Sequence, residues 1–183
     1  MKVLVPLAEG FEEIEAVTVI DILRRAGINT VTAALRTNPV TGSHSIPVTA
    51  DYLLDELINK NENFDAIVLP GGLPGSTNLK NDSRIISILK KINSTGGLTA
   101  AICAAPIVLS EAGLLNNKKF TCYPGHEDEI TGGKHIKENV VIDGSIITGI
   151  GANCASLFAL AIVEFLKDKK TMENIKEKMM SFW

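Results

Sequence analysis

Short unbroken apolar runs alternate along this chain with stretches in which apolar residues recur every three or four positions. Val3–Leu7 is an unbroken run and predicts a buried strand. From about Glu12 to Ala26, Ile14, Val17, Asp21 and Ile22 share helical spacing, Arg24 and Arg25 suit the negative helix end, and Gly27 supplies the stop. Asn29–Leu35, β-branched and alanine-rich, predicts a second strand. Asn38-Pro39 and Thr41-Gly42-Ser43 mark Arg36–Ala50 as a small hairpin or edge excursion, and Leu53–Leu57 as a short helix follows. The apolar run Asp65–Leu69 predicts a strand that enters Pro70-Gly71-Gly72-Leu73-Pro74-Gly75. With Asn81 or Asp82 as cap, Ile85, Ile88, Leu89 and Ile92 share one helix face. After Gly96-Gly97, a strand of small and β-compatible residues from Leu98 reaches Cys103. Ala104, Ala105 and Pro106 then open a helix over Ile107–Glu111.

The remaining third is less regular. Gly113–Gly133 is polar and turn-rich. Val140–Asp143 and Ser145–Thr148, about Gly144, predict a hairpin or two adjoining strands. Cys154–Leu166 predicts an alanine-rich helix buried on several sides, and Met172 to about Met180 a last helix, ending at Phe182 and Trp183 and packed on its own domain or on a partner. No repeat or linker interrupts the series. Alternating strands and helices give an α/β class, a single domain over residues 1–183 with a mainly parallel sheet covered on both faces. Sites in such sheets lie beyond the carboxyl ends of the strands, which brings Glu9–Glu15, Pro70–Ser76 and Cys103 together.

Composition narrows the partners. With 183 residues, 45% apolar and 21% charged, the chain can bury a full core. A net charge of −3 asks for neither nucleic acid nor an anionic membrane. No apolar run approaches the ~18 residues of a membrane span, and the N-terminal run is too short and too closely followed by acids for a signal peptide. Three widely spaced cysteines form neither a disulfide framework nor a zinc ladder, so a reducing cytoplasm is expected.

Cys103 is the first candidate for chemistry. A strand turning sharply into a helix sets its side chain over unpaired helix N–H groups, which push a thiol toward thiolate; the alternative is a small buried hydrophobe. Glu15, in the first turn of its helix, is either a solvated acid favouring the dipole or a carboxyl aimed at Cys103. Beside a thiolate it would carry a proton and serve as general acid and base. Gly71 and Gly72 end a strand where N–H groups approach a bound oxygen freely, and the Ala104 N–H is the natural second donor; a plain tight turn fits the same glycines. No cofactor is called for: Pro70–Gly75 has the wrong spacing for a nucleotide fingerprint, and in Gly149-Ile-Gly151-Ala-Asn-Cys154 the third glycine is missing. His44, His126 and His135 sit in polar surroundings, and Pro124-Gly125 argues against a metal held by Cys122 and His126. Cys122 and Cys154 are taken as structural, and no metal site is assigned.

These pieces resemble the ThiJ/PfpI superfamily, on its parkinsonism-associated deglycase branch. The matching segments are Leu7-Ala-Glu-Gly-Phe-Glu-Glu-Ile-Glu15-Ala-Val, Asp21-Ile-Leu-Arg-Arg-Ala-Gly-Ile28, Val68-Leu-Pro-Gly-Gly72, Ala100-Ala-Ile-Cys-Ala-Ala-Pro106 and Phe158-Ala-Leu-Ala-Ile-Val-Glu164. The resemblance implies a flavodoxin-like α/β/α sandwich and a homodimer. It also implies Cys103 as nucleophile on a strained elbow, Glu15 as its protonated partner, and Gly72 and Ala104 N–H groups as the oxyanion pocket. The chain departs from the pattern in two places. Tyr123-Pro124 stands where relatives often carry a histidine before proline, leaving Tyr123 and His126 as possible auxiliaries. Ile150 stands where some relatives have an arginine. Ala104 occupies the position of the protease-like branches' histidine, so a peptidase reading loses its base.

The resemblance implies a cysteine-dependent, glutathione-independent glyoxalase or deglycase acting on methylglyoxal or its early adducts on amino groups. The alternative is a redox-sensing or chaperone-like protein switched by oxidation of Cys103. Thiolate formation alone accomplishes little. Lowering a thiol pKa from about 8.5 to about 5.5 raises its ionised fraction about thirtyfold at pH 7, while nucleophilicity falls roughly twentyfold. Catalysis must then come from positioning, proton transfer and oxyanion donors.

Overall fold

A computed structural model describes residues 1–179. Strands β1 (Lys2–Leu7), β2 (Asn29–Ala34), β3 (Val40–Thr41), β4 (Pro47–Val48), β5 (Tyr52–Leu53), β6 (Ala66–Leu69), β7 (Leu98–Ile102), β8 (Lys119–Phe120), β9 (Lys134–His135), β10 (Val140–Asp143) and β11 (Ile146–Gly149) alternate with the helices. These are α1 (Glu13–Arg25), α2 (Leu54–Asn59), α3 (Gly75–Lys80), α4 (Ser83–Ser94), α5 (Pro106–Glu111), α6 (Ala155–Leu166) and α7 (Lys169–Lys178). The main sheet has seven strands in the order β10-β11-β7-β6-β1-β2-β5, parallel throughout except for the antiparallel β10–β11 hairpin at one edge.

The sheet's side chains divide by alternation. Val3, Val5 and Leu7 of β1 enter one core with Val19, Ile22 and Leu23 of α1 and Phe158, Ile162 and Val163 of α6. Leu4 faces the other way, into a second core with Leu54, Leu79, Ile85, Leu89 and Val108 from α2–α5. A doubly covered parallel sheet is buried on both faces, which is why its strands are continuous apolar runs. The α/β class, the parallel sheet and the covered faces are therefore as expected.

Three local expectations need correction. On α1, Ile14 and Val17 point outward, with 58% and 49% exposure, while Glu15, Ala16, Val19, Ile22 and Leu23 are buried. The inward stripe contains a glutamate, which disguises it as the polar side. Secondly, α3 is an additional helix, in a segment whose glycine and prolines read as loop, and Tyr52–Leu53 pairs with β2 before α2 begins. Thirdly, α7 starts at Lys169, three residues early, because Asp168 caps it by accepting from the Thr171 N–H at 2.7 Å. Met179 packs on the first core; Met180, Phe182 and Trp183 lie outside the described residues. No helix among the described residues is long and apolar enough to cross a membrane.

Phe158 is fully buried where α6 meets β11, against Gly149. Phe158→Ala should cost about 3–5 kcal/mol through lost burial and an unfilled cavity. Urea unfolding checks this as a lowered midpoint at unchanged slope.

Candidate active site

The carboxyl ends of β6 and β7 and the start of α1 converge on Cys103. Leaving β7, the chain turns at Cys103 with φ +64°, a conformation that L side chains rarely adopt. Two backbone hydrogen bonds hold it there: the Cys103 N–H donates to Gly149 O, and the Tyr123 N–H donates to Cys103 O, both at 2.9 Å. Pro106 at the first helical position then carries the chain into α5. The cysteine is thus placed by β11 on one side and by the segment after β8 on the other.

Glu15 is fully buried, and its Oε2 accepts the Gly71 N–H at 2.8 Å. The Gly71 carbonyl accepts the Glu12 N–H at 2.9 Å, so the start of α1 holds Gly71, just past β6, by both of its backbone groups. Gly71 has no room for a side chain. A Cβ there would stand 2.6 Å from both Cys103 Cβ and Glu15 Oε2, so the thiol and carboxyl close on one point. Gly72 has φ +88°, and the Gly72 and Ala104 N–H groups both favour the charged form of the Cys103 sulfur.

Burial pushes the Glu15 carboxyl up to about 7, against the Gly71 N–H and the Cys103 thiol, which favour its charged form. Burial and the neighbouring Glu15 push the Cys103 thiol up to about 12, while the Ala104 and Gly72 N–H groups pull it down. The helix N–H groups therefore do not set the sulfur's charge by themselves: burial and the facing acid push against them. A buried carboxyl and thiol in contact cannot both ionise, so the pair keeps a proton at neutral pH. A proton on Glu15 removes two of the three upward pushes on the sulfur. Glu15 Oε1 is buried without a hydrogen-bond partner among the described residues, leaving capacity for one more contact.

The other candidates separate. Tyr123 meets the elbow through its backbone, with an exposed side chain. His126 is turned onto its own loop, with Nδ1 2.6 Å from Glu129 Oε1 and no bond to Cys103 or Glu15 among the described residues. Cys122 is buried in the second core, its thiol raised to about 12 by burial and by Glu127 and Glu129. Cys154 is buried and directs its sulfur to Asn139 O and Gly151 O.

One functional neighbour escaped sequence reasoning. Glu13 is buried, and its carboxylate accepts the backbone N–H groups of His44 at 2.8 Å and Ile46 at 3.3 Å, with Ser43 Oγ and His44 Nδ1 also in reach. Burial would raise it, but these donors together hold it down to about 2. It latches the β3–β4 hairpin onto the helix that carries Glu15. Glu12, Glu13 and His44 also place ligand atoms within 4.8 Å of one another, a grouping these hydrogen bonds account for. Its one sequence signal is position, two residues before Glu15.

The family model described as the DJ-1/PfpI family matches residues 1–165. The chain belongs to the DJ-1/PfpI family. It is 42% identical over 165 residues to Protein DJ-1 homolog B of Arabidopsis thaliana, covering 89% of this chain but only 37% of that longer protein. It is 38% identical over 169 residues to the glutathione-independent glyoxalase DJR-1.2 of Caenorhabditis elegans, covering 91% of this chain and 89% of the relative. The oxidized DJ-1 of Toxoplasma gondii superposes with a TM-score of 0.94 at 36% identity, covering 100% and 99% of the two chains. The flavodoxin-like sandwich expected from the resemblance is the observed fold.

The raised Glu15 gives a signed pH dependence. Its folded value of about 7 exceeds the ordinary 4.5, so burial costs nothing below 4.5 and progressively more as pH rises to 7. Glu15→Gln should therefore gain stability over the parent across that window, by about 3 kcal/mol at most. Unfolding free energies of both proteins at pH 4.5 and 8 check this; a constant difference would refute the protonated carboxyl.

Proposed function

We propose that this protein is a metal- and glutathione-independent glyoxalase or deglycase, converting methylglyoxal or its early adducts on amino groups to a 2-hydroxy acid. The observation that carries the reading is the buried Glu15 carboxyl facing Cys103, with the Gly72 and Ala104 N–H groups on the same sulfur. The DJR-1.2 relative, a glutathione-independent glyoxalase by name, supports it.

In this mechanism the Cys103 thiolate adds to the aldehyde carbon, and the new alkoxide takes the Glu15 proton to give a hemithioacetal. Gly72 and Ala104 N–H groups stabilise the oxygen while it is charged. The Glu15 carboxylate then removes the hydrogen from that carbon as a proton and returns it to the neighbouring carbonyl carbon, while the hydroxyl proton passes to the neighbouring oxygen. The first carbon is oxidised to a thioester and the second reduced to an alcohol, with no external oxidant. Water cleaves the thioester, so methylglyoxal and water become lactate and one released proton; Cys103 leaves as the thiolate and Glu15 regains the proton it gave to the alkoxide. Tyr123 borders the site, and His126 is assigned no step.

The second reading is a redox sensor, in which peroxide oxidises Cys103 to a sulfinate that accepts a hydrogen bond from Glu15. The unpartnered Glu15 Oε1 and the oxidized Toxoplasma gondii relative favour it. Both readings fit a reducing, cytoplasmic setting, supported by free Cys103, Cys122 and Cys154. Both also suit a homodimer. Ile14 and Val17 on α1 and Ile46 on the latched hairpin are exposed apolar groups beside the site, the kind of patch that a second copy covers.

Lactate should form from methylglyoxal with the parent protein, vanish in Cys103→Ala and fall at least about a hundredfold in Glu15→Ala. Direct product assay is required, since any thiol consumes the aldehyde reversibly. Lactate no higher than in Cys103→Ala, with chaperone activity that appears on peroxide treatment, would favour the sensor. Val17→Glu should shift the sedimentation coefficient from dimer to monomer; an unchanged parent-like value would remove this face from the interface.

A further inference from the structure

A cleft of about 340 Å³ adjoins the elbow, lined by Tyr123, Pro124, Ile150 and Ala152, with the Asn139 and Asn153 amides and the Tyr123 hydroxyl among its polar groups. None of these residues carries a formal charge. The cleft is tied to Cys103 by backbone. β7 and β11 pair in parallel with Ile102 opposite Gly149, and the Cys103 N–H bonds to the Gly149 carbonyl, so Ile150 follows directly on the residue that holds Cys103. Adjacent strands are about 4.8 Å apart, a distance one small side chain spans. On the opposite wall, Tyr123 donates its N–H to the Cys103 carbonyl.

The walls are firmly set. Cys154 directs its thiol to the carbonyls of Asn139 and Gly151 at 3.3 and 3.1 Å, and the Ile150 N–H bonds to Asn139 O at 3.0 Å. Gly151 faces the Tyr123 ring, where a Cβ would stand 3.4 Å from Cδ2. An uncharged, aryl- and alkyl-lined cleft next to the backbone of the elbow selects by apolar burial and offers no charged partner for an anionic group.

We propose that this cleft is the subsite for the carbon substituent of the substrate, and that Ile150 and Tyr123 direct the enzyme toward 2-oxoaldehydes with apolar or aryl substituents larger than methyl. This rests on the proposed glyoxalase-type reading and adds the substituent class to it. Ile150 acts as a specificity-determining wall. It touches no reacting atom.

The test reads the cleft first without turnover. Alkylation rates of Cys103 by 2-bromoacetophenone and by iodoacetamide, both neutral, are measured by peptide mass mapping, each divided by its rate with glutathione. The aryl-to-small ratio should be about tenfold or more in the parent and fall about tenfold in Ile150→Ser, the size of a lost methylene-scale contact, while Ile150→Leu retains it. In turnover, the phenylglyoxal-to-methylglyoxal ratio of kcat/KM should fall in step, through KM. Retained thermal midpoints identify folded variants. A parent ratio near one, or an Ile150→Ser ratio within about twofold of the parent's, overturns the subsite. Absence of 2-hydroxy acid from both aldehydes overturns the enzyme reading and the substrate assignment with it, while the alkylation ratio still decides whether the cleft is an apolar subsite.

Discussion

Everything at the site depends on one backbone constraint, the left-handed turn at Cys103. A non-glycine residue at φ +64° is strained by about 1–2 kcal/mol, and it persists only where its surroundings leave no alternative. Here its N–H is held by the last residue of β11 and its carbonyl by Tyr123, while Gly71 lies against the side chain with no room for a Cβ of its own. Relaxing the turn would break both hydrogen bonds and move the sulfur away from the two N–H groups that address it. The sheet's parallel register, which aligns Ile102 with Gly149, is what makes those bonds available.

Electrostatics at the site follow from burial more than from helix geometry. The fully buried Glu15 has one backbone donor, too few to keep a carboxylate comfortable without water. Glu13, two residues away and also buried, has several donors and stays ionised. Two glutamates in one helical turn thus shift in opposite directions because the backbone around them supplies different numbers of N–H groups. One is a structural anchor for a hairpin; the other is a proton store beside a thiol.

Much of this was legible in the residues. Continuous apolar runs at β1, β6 and β7 announce strands buried on both faces, and the carboxyl-end rule gathers the three site loops from the sequence order alone. Cys103 and Glu15 could be named from their places in that scheme and from the family resemblance. The α1 stripe misleads because Glu15 occupies an inward position that a hydrophobe normally fills, so the eye prefers Ile14 and Val17. The Glu13 latch was invisible for a different reason: its partners are backbone N–H groups of residues 44 and 46, and a sequence does not show which loop a carboxylate will meet. The thiol's raised value is likewise a sum of burial and contact that no spacing encodes.

The site draws on three segments, around Glu15, Gly71 and Cys103, that come together only when β1, β6 and β7 have taken their places in the sheet. During synthesis, Cys103 emerges well after Glu15 and Gly71 but before β11, whose Gly149 carbonyl fixes the turn. Until that last strand docks, the Cys103 N–H lacks its Gly149 partner and the turn that aims the thiol is not held. Docking of β11 therefore completes the site as well as the sheet. One hydrogen bond ties the aim of the sulfur to the last strand of the fold.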